Sequence, residues 1–185
     1  MTESGKIDEE ILEEAYRRGY DYLPRWRACA PTVFAAVMDT LGYEGDHTAN
    51  EIWKAIVGLT GGTGNMAIGT CGAMAGAAAA ISYSFGYTKE DLEKDLMKML
   101  NLNAAVADVG KKMQEKYGHI VCQEVQFHHW GKAYRFTNPN AFMEFASMFG
   151  ENRSFPECQD VTGSLTRWAV EKILEINPQF SKRKK

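Results

Sequence analysis

The sequence predicts an all-α protein, a single-domain helical bundle in which a glycine-rich loop leads into a buried small-residue helix. Apolar residues recur at the spacing that places them on one face of a helix along most of the chain. Prolines, glycines and cap residues separate these stretches where helices start and stop. The chain has 185 residues, of which 45 % are hydrophobic and 24 % are charged. One globular domain covering residues 1–185 is therefore expected, with residues 1–6 and 179–185 as flexible tails.

The first third of the chain predicts three helices. An amphipathic helix covers residues 7–22, and Pro24 is expected to end it. A second helix begins near Pro31, because proline is favoured in the first helical turn, and Gly42 ends it. A short helix follows over residues 49–57. Each has apolar side chains at helical spacing, so all three should contribute to one core.

A glycine-rich loop at residues 58–69 precedes an alanine-rich helix that starts at Cys71 and is closed by Gly86. Residues 55–88 contain no charged side chain, and the length of this stretch raises the question of a membrane span. Small residues dominate the segment, so it would gain little by entering lipid. We expect a helix buried inside the protein, where small side chains let another backbone approach closely, and no membrane span.

The second half of the chain also predicts helices. Residues 88–91 form a capping-box pattern, and two helices divided near residues 101–103 are expected to follow. Residues 119–125 fit either a short extended piece or an irregular turn. Further helices are predicted over residues 139–149 and from residue 156 to residue 176.

Charge and composition exclude several classes of function. The net charge is −3, so no basic field is available to bind nucleic acid phosphates or anionic lipid. The basic run at residues 182–185 is read as a frayed tail. The N-terminal stretch is polar and acidic where a signal peptide would need an apolar core. Four cysteines are also too few for a disulfide-stapled secreted scaffold, so we expect a cytoplasmic protein whose cysteines are thiols, metal ligands or redox partners.

The four cysteines, Cys29, Cys71, Cys122 and Cys158, contain no Cys-x-x-Cys pair. Three of them fall at predicted helix starts, and Cys122 lies just past a predicted helix end. A helix start presents unpaired N–H groups and the positive end of the helix dipole, and both favour the reactive thiolate. The pattern is compatible with one shared thiol or metal site and with unrelated core cysteines.

Residues 71–76, Cys-Gly-Ala-Met-Ala-Gly, match a Cys-Gly-Ala-x-x-Gly motif, with Cys29 upstream and Cys122 and Cys158 downstream. This order resembles the C-GCAxxG-C-C family, small bacterial and archaeal proteins that are defined by four cysteines and named for an expected redox activity. The resemblance covers residues 26–174 and implies redox chemistry at the cysteines. Residues 126–157 depart from it, because they are longer and more aromatic than the family leads us to expect.

Gly72 and Gly76 of the motif lie four residues apart, on one face of the predicted helix. This face would let a bulky cofactor, or another backbone, approach Cys71 closely. The two glycines are therefore candidate cofactor-binding residues, and tight helix packing is the alternative.

With the resemblance, we expect Cys29, Cys71, Cys122 and Cys158 to converge on one site of a redox protein. They would ligate an iron–sulfur cluster or, less favourably, a structural zinc ion. Otherwise they would form a dithiol/disulfide system in which Cys71 is the attacking thiol. The alternative is a non-catalytic helical binding or scaffold protein with packed cysteines. An oxidoreductase or electron-transfer role implies an unidentified redox partner, and the uncharged small-residue helix can serve a homodimer interface as well as a core.

Other motifs give weaker signals. Residues 61–64 are rich in glycine but lack the ending of a phosphate-binding P-loop. His128 and His129 are read as structural, with one of them as a candidate proton donor to the cysteine site. Arg25 and Arg27 flank Trp26 near Cys29 and are read either as a solvated pair or as cations that keep the thiol ionised.

Overall fold

The computed structural model describes residues 7–149 and 155–182, and helices make up most of them. The described residues contain no strand, so the all-α prediction is confirmed. The α-helices are α1 (Glu9–Trp26), α2 (Cys29–Thr40), α3 (His47–Ile56), α4 (Gly72–Phe85), α5 (Lys89–Lys94), α6 (Leu96–Tyr117), α7 (Cys122–Trp130), α8 (Pro139–Phe149) and α9 (Pro156–Ile176). Short 3₁₀ turns cover Val57–Leu59 and Pro178–Phe180.

Helices α1 and α9 run antiparallel at very short range. Thr162 donates a hydrogen bond from its hydroxyl to the Gly19 carbonyl at 2.8 Å. A Cβ added at Gly163 would lie 2.9 Å from the ring of Tyr16, and one at Gly19 would overlap the Thr166 side chain. Because neither glycine carries a side chain, the two backbones approach closely enough for this hydrogen bond to form.

Helix α4 lies at the centre of the bundle and packs against α2, α6 and α9. Its alanine-rich face is completely buried, with Ala73, Ala77, Ala80 and Ile81 inaccessible to solvent. The helix therefore contributes to the core of the chain. No helix in residues 7–149 or 155–182 is long and apolar enough to cross a membrane.

The prediction that Pro24 ends the first helix is wrong, because α1 continues through it to Trp26. Proline has no N–H to donate to the carbonyl four residues earlier. The side-chain amide of Gln159 donates to that carbonyl, on Tyr20, at 3.1 Å instead. The helix ends where Arg27 adopts the left-handed conformation, with φ of 53°. A distant residue thus replaces the hydrogen bond whose loss would otherwise stop the helix.

Two boundaries in the middle of the chain also differ from the prediction. The capping box at Thr88 and Asp91 is confirmed, but the break between the next two helices falls at Asp95 and not at residues 101–103. Asp95 has an extended backbone and caps α6 by accepting from the Met97 N–H at 2.9 Å. Residues 119–125, left undecided between an extended piece and a turn, include the start of α7 at Cys122.

Residues 178–182, most of which were expected to belong to a flexible tail, pack against the bundle. The Phe180 ring stacks on Tyr43 with centroids 4.7 Å apart, and the Tyr43 hydroxyl donates to the Phe180 carbonyl at 2.7 Å. Lys182 pairs with Asp46 at 3.0 Å. Residues 1–6 and 183–185, the rest of the expected tails, lie outside the described residues.

The carboxylate of Asp160 joins three helices. It accepts hydrogen bonds from Tyr16 at 2.8 Å and Tyr117 at 2.7 Å, and it pairs with Lys116 at 2.9 Å. Burial opposes ionisation of this carboxyl, but the hydrogen bonds from Tyr117, Lys116 and Tyr16 outweigh it and lower the pKa of Asp160. The ionised form therefore stabilises the contact among α1, α6 and α9.

We expect Asp160→Asn to lower the free energy of unfolding by about 1–2 kcal/mol at neutral pH, because the hydrogen bonds lose their charged acceptor. A carboxyl with a lowered pKa in the folded state contributes stability above its unfolded pKa of about 3.9 and loses it as the pH falls through the folded pKa. The difference in the free energy of unfolding between wild type and Asp160→Asn should therefore become smaller in acid. Urea denaturation at neutral and acidic pH measures this difference. Asp21→Asn, at an exposed position of α1, is the control, and an equal effect of both variants would contradict the prediction.

Candidate redox site

Every cysteine of the chain lies at the start of a helix. Cys29 is the first residue of α2, Cys71 is the N-cap of α4, Cys122 is the first residue of α7 and Cys158 is the third residue of α9. The sequence predicted this position for three of them. Cys122 was missed because α7 carries no side-chain cap at its start and shows almost no amphipathic pattern.

All four cysteines line one cavity of about 510 Å³. Cys71 and Cys122 are buried, Cys29 and Cys158 are partly buried, and all four are free thiols. The structure therefore brings together the four residues that were singled out from the sequence, each from a different helix.

A short backbone ladder brings the start of α4 next to the start of α7. Thr70 and Val121 form an isolated antiparallel bridge. The Cys71 N–H donates to the Ile120 carbonyl at 2.7 Å, and the Cys122 N–H donates to the Gly69 carbonyl at 2.9 Å. These hydrogen bonds use N–H groups at both helix starts and fix Cys71 and Cys122 on one side of the cavity.

The glycine-rich loop before α4 folds against two of the cysteines. Gly61 and Gly62 have positive φ values of 61° and 71°, which favour glycine. The Gly61 N–H donates to the Cys29 sulfur at 3.5 Å. A Cβ at Gly62 would lie 2.8 Å from the Cβ of Cys122. The loop thus supplies a hydrogen bond to one sulfur and leaves space for the neighbouring cysteine.

The start of α2 occupies the face on which Gly72 and Gly76 were expected to admit a cofactor. A Cβ at Gly72 would overlap the Cys29 sulfur, and one at Gly76 would overlap the Ala30 carbonyl oxygen. Within the described residues, neither glycine lines the cavity. The two glycines of α4 are therefore approached by the backbone of α2 and by the Cys29 sulfur. This is the tight helix packing that was the alternative to a cofactor contact.

Burial outweighs the helix-start effect on the thiols. It raises the pKa of all four: well above the usual value for Cys71 and Cys158, to about 11 for Cys122, and also upward for Cys29. At Cys29 the N–H groups of Gly61, Ala30 and Gly72 offset part of this rise. The expectation of low-pKa thiolates at helix starts is therefore corrected, because desolvation of the charged form is the larger effect.

The four cysteines are a donor set that could hold a metal ion or a cluster through their thiolates. Within residues 7–149 and 155–182, however, no three His, Cys, Asp or Glu side chains are grouped so that they could hold a metal ion. The Gln126 amide also donates to the Cys122 sulfur at 3.3 Å, and the Thr60 hydroxyl at the cavity is buried without a hydrogen-bond partner in the described structure.

Of the histidines and arginines considered in the sequence analysis, the structure places only Arg27 among the described residues that line the cavity. Neither His128 nor His129 is among the described residues that line the cavity. His129 packs against Tyr117 with ring centroids 5.6 Å apart, and burial lowers its pKa, so the structural reading of these histidines is supported. Arg27 lines the cavity, whereas Arg25 lies 5.2 Å over the Tyr22 ring.

Sequence reasoning missed an aromatic wall of the same cavity. It comes from residues 126–157, the segment that was expected to depart from the family pattern, and its members are Trp130, Phe136, Phe142, Phe145 and Phe155. The signal that was present is the density of aromatic residues between residues 127 and 155. Their side chains meet only after α7, α8 and the start of α9 have folded against each other.

The sequence model of one family, described as "Putative redox-active protein (C_GCAxxG_C_C)", matches residues 27–172. The chain belongs to this family. The matched region includes all four cysteines of the C_GCAxxG_C_C pattern and also the aromatic segment. Comparisons with curated proteins and with solved structures gave no match.

Gly72→Ala is expected to lower the free energy of unfolding by about 1–3 kcal/mol, because the added methyl group overlaps the Cys29 sulfur and forces α2 away from α4. Chemical denaturation measures the change. Gly110→Ala in α6 is the matched control, since its Cβ would meet only the Met74 side chain at 3.6 Å. The control should be neutral or slightly stabilising. Equal behaviour of the two variants would show that Gly72 is not required for this packing.

Proposed function

We propose that this protein is a redox protein in which Cys29, Cys71, Cys122 and Cys158 act as one site that holds an iron–sulfur cluster. The observation that supports this most directly is that the four cysteines, each from a different helix start, line one cavity. Four thiols match the ligand number of common clusters. The alternative of a non-catalytic helical protein with packed cysteines does not by itself explain why all four share one cavity.

Electrostatics support a bound cluster. The four thiols resist ionisation on their own, because desolvation raises the pKa of each, whereas coordination to a cation favours the thiolate. The helix starts also point their positive ends toward the cavity, which favours the negative charge of a thiolate-ligated cluster. The Gly61 N–H and the Gln126 amide donate to sulfurs of Cys29 and Cys122, and such hydrogen bonds tune the reduction potential.

The residues of the chain have separate tasks in this proposal. The four thiolates would hold the cluster, and the cluster would supply one-electron transfer. Gly61 and Gln126 hold two of the sulfurs in place and reduce their charge. The aromatic wall excludes water from the site, which keeps its dielectric constant low and influences its potential.

A dithiol/disulfide system is the second candidate. Burial is the main cause of the raised pKa of Cys71 and of Cys158, and ionisation of Cys29 or Cys122 would raise both further. Formation of a disulfide joins two thiols, releases two protons and passes two electrons to an oxidised partner. The raised pKa values argue against rapid attack, since the thiolate is the nucleophile.

The test is the iron and acid-labile sulfide content, with the visible absorbance, of protein purified without oxygen. We expect iron, sulfide and a visible charge-transfer absorption, and we expect Cys71→Ser to lose more than half of each because one ligand is removed. Ala146→Ser is the matched control, because it adds the same hydroxyl to the cavity wall and keeps all four thiols. Circular dichroism checks that both variants fold.

Colourless, iron-free protein would contradict the cluster. Thiol titration before and after mild oxidation would then test the second candidate, which predicts the loss of thiols in pairs. Four thiols that remain unreactive in both states would contradict the redox function altogether.

A further inference from the structure

The cavity that the four cysteines line extends beyond the thiols, along a set of aromatic side chains. Its volume of about 510 Å³ lies within the usual range for small-molecule pockets, about 300–1,000 Å³. The aromatic side chains from α7, α8 and the start of α9 provide no atom that binds iron. The proposed cluster therefore does not account for the aromatic part of the cavity.

The rings of the aromatic wall pack around Phe145, whose side chain is buried. Its ring lies 4.6 Å from the ring of Phe136 and stacks on Phe155 with centroids 5.1 Å apart. Phe142, on the same helix, lines the cavity and is half exposed. The wall thus presents flat aromatic faces and edges, against which a planar ring packs favourably.

Two polar groups at the same cavity are available to a ligand. The Thr60 hydroxyl is buried and has no hydrogen-bond partner among the described residues. Arg27 lines the cavity at an exposed position, and no carboxylate in the described part of the chain pairs with it. By contrast, Gln126 already has a partner at each end of its amide, because it donates to Cys122 and accepts from the Tyr134 N–H.

We propose that this part of the cavity binds a planar aromatic carboxylate next to the cysteine sulfurs. The ring would pack among Phe136, Phe142 and Phe145, and the carboxylate would accept hydrogen bonds from Arg27 and Thr60. Arginine suits this role because its planar guanidinium pairs with carboxylates through charge-assisted hydrogen bonds. The inference rests on the proposed function in one respect, since it assigns the ligand to the redox site.

Isothermal titration of the full-length protein, as purified without oxygen, with naphthalene-2-carboxylate tests the proposal. We expect saturable binding with a stoichiometry of one. Ala146→Trp should weaken it roughly tenfold or more, because the indole would occupy the cavity, and a tenfold change is readily resolved. Phe142→Ala is a second variant that should also weaken binding, by removing an aromatic contact at a half-exposed position.

The carboxylate contact has its own matched pair of variants. Arg27→Gln should weaken binding about threefold, the range expected for a partly solvated ion pair. Arg17→Gln makes the same change at an exposed position of α1 that does not line the cavity and should have no effect. The neutral amide of the same ring should bind equally to wild type and Arg27→Gln.

Absence of saturable binding, or binding that Ala146→Trp and Phe142→Ala leave unchanged, would overturn the proposal. Binding that is equal in wild type and Arg27→Gln would overturn its carboxylate part. All of these variants retain the four cysteines, and their iron content is measured first. Absence of ligand binding by wild-type protein with normal iron content would therefore contradict the ligand pocket alone. Absence of iron in the wild type would contradict the proposed function.

Discussion

The start of α2 rests directly on the glycines of α4, and this contact sets the position of Cys29 relative to Cys71. The Ala30 carbonyl oxygen and the Cys29 sulfur occupy the space that side chains at Gly76 and Gly72 would fill. Any larger residue at either position would push α2 outward and move one of the four thiols away from the cavity. The remaining parts of the site build on this pair of helices: the glycine-rich loop reaches the Cys29 sulfur, and the ladder at Thr70 brings Cys122 alongside.

Two electrostatic effects compete at the cysteines. The helix starts favour negative sulfur, whereas burial disfavours it, and burial is the larger effect for the uncombined thiols. This balance makes the four thiols poor free nucleophiles. Coordination to a cation, as in the proposed function, would favour the loss of their protons. The same low-dielectric surroundings that raise the thiol pKa values would strengthen the hydrogen bonds from Gly61 and Gln126 to the sulfurs.

The aromatic segment gives this chain a cavity with two chemically different sides. The cysteines come from α2, α4, α7 and α9, and the aromatic rings come from α8 and its neighbours. Gln126 connects the two sides, since its amide donates to Cys122 while its carbonyl oxygen accepts from the Tyr134 N–H at 2.6 Å. A ligand held by the rings would therefore contact the same wall that positions a sulfur.

The sequence by itself determined the helical class, most helix ends and the four cysteines of the site. Caps such as Thr88 with Asp91, and the helical spacing of apolar residues, act over a few positions and can be read locally. Only the tertiary structure decided that α1 passes through Pro24, because the replacement hydrogen bond to Tyr20 comes from Gln159, 139 residues away. It likewise decided that α2 covers the motif glycines, that Cys122 begins a helix and that aromatic rings complete the cavity. These features depend on contacts between distant segments, and no local pattern encodes which segments will meet.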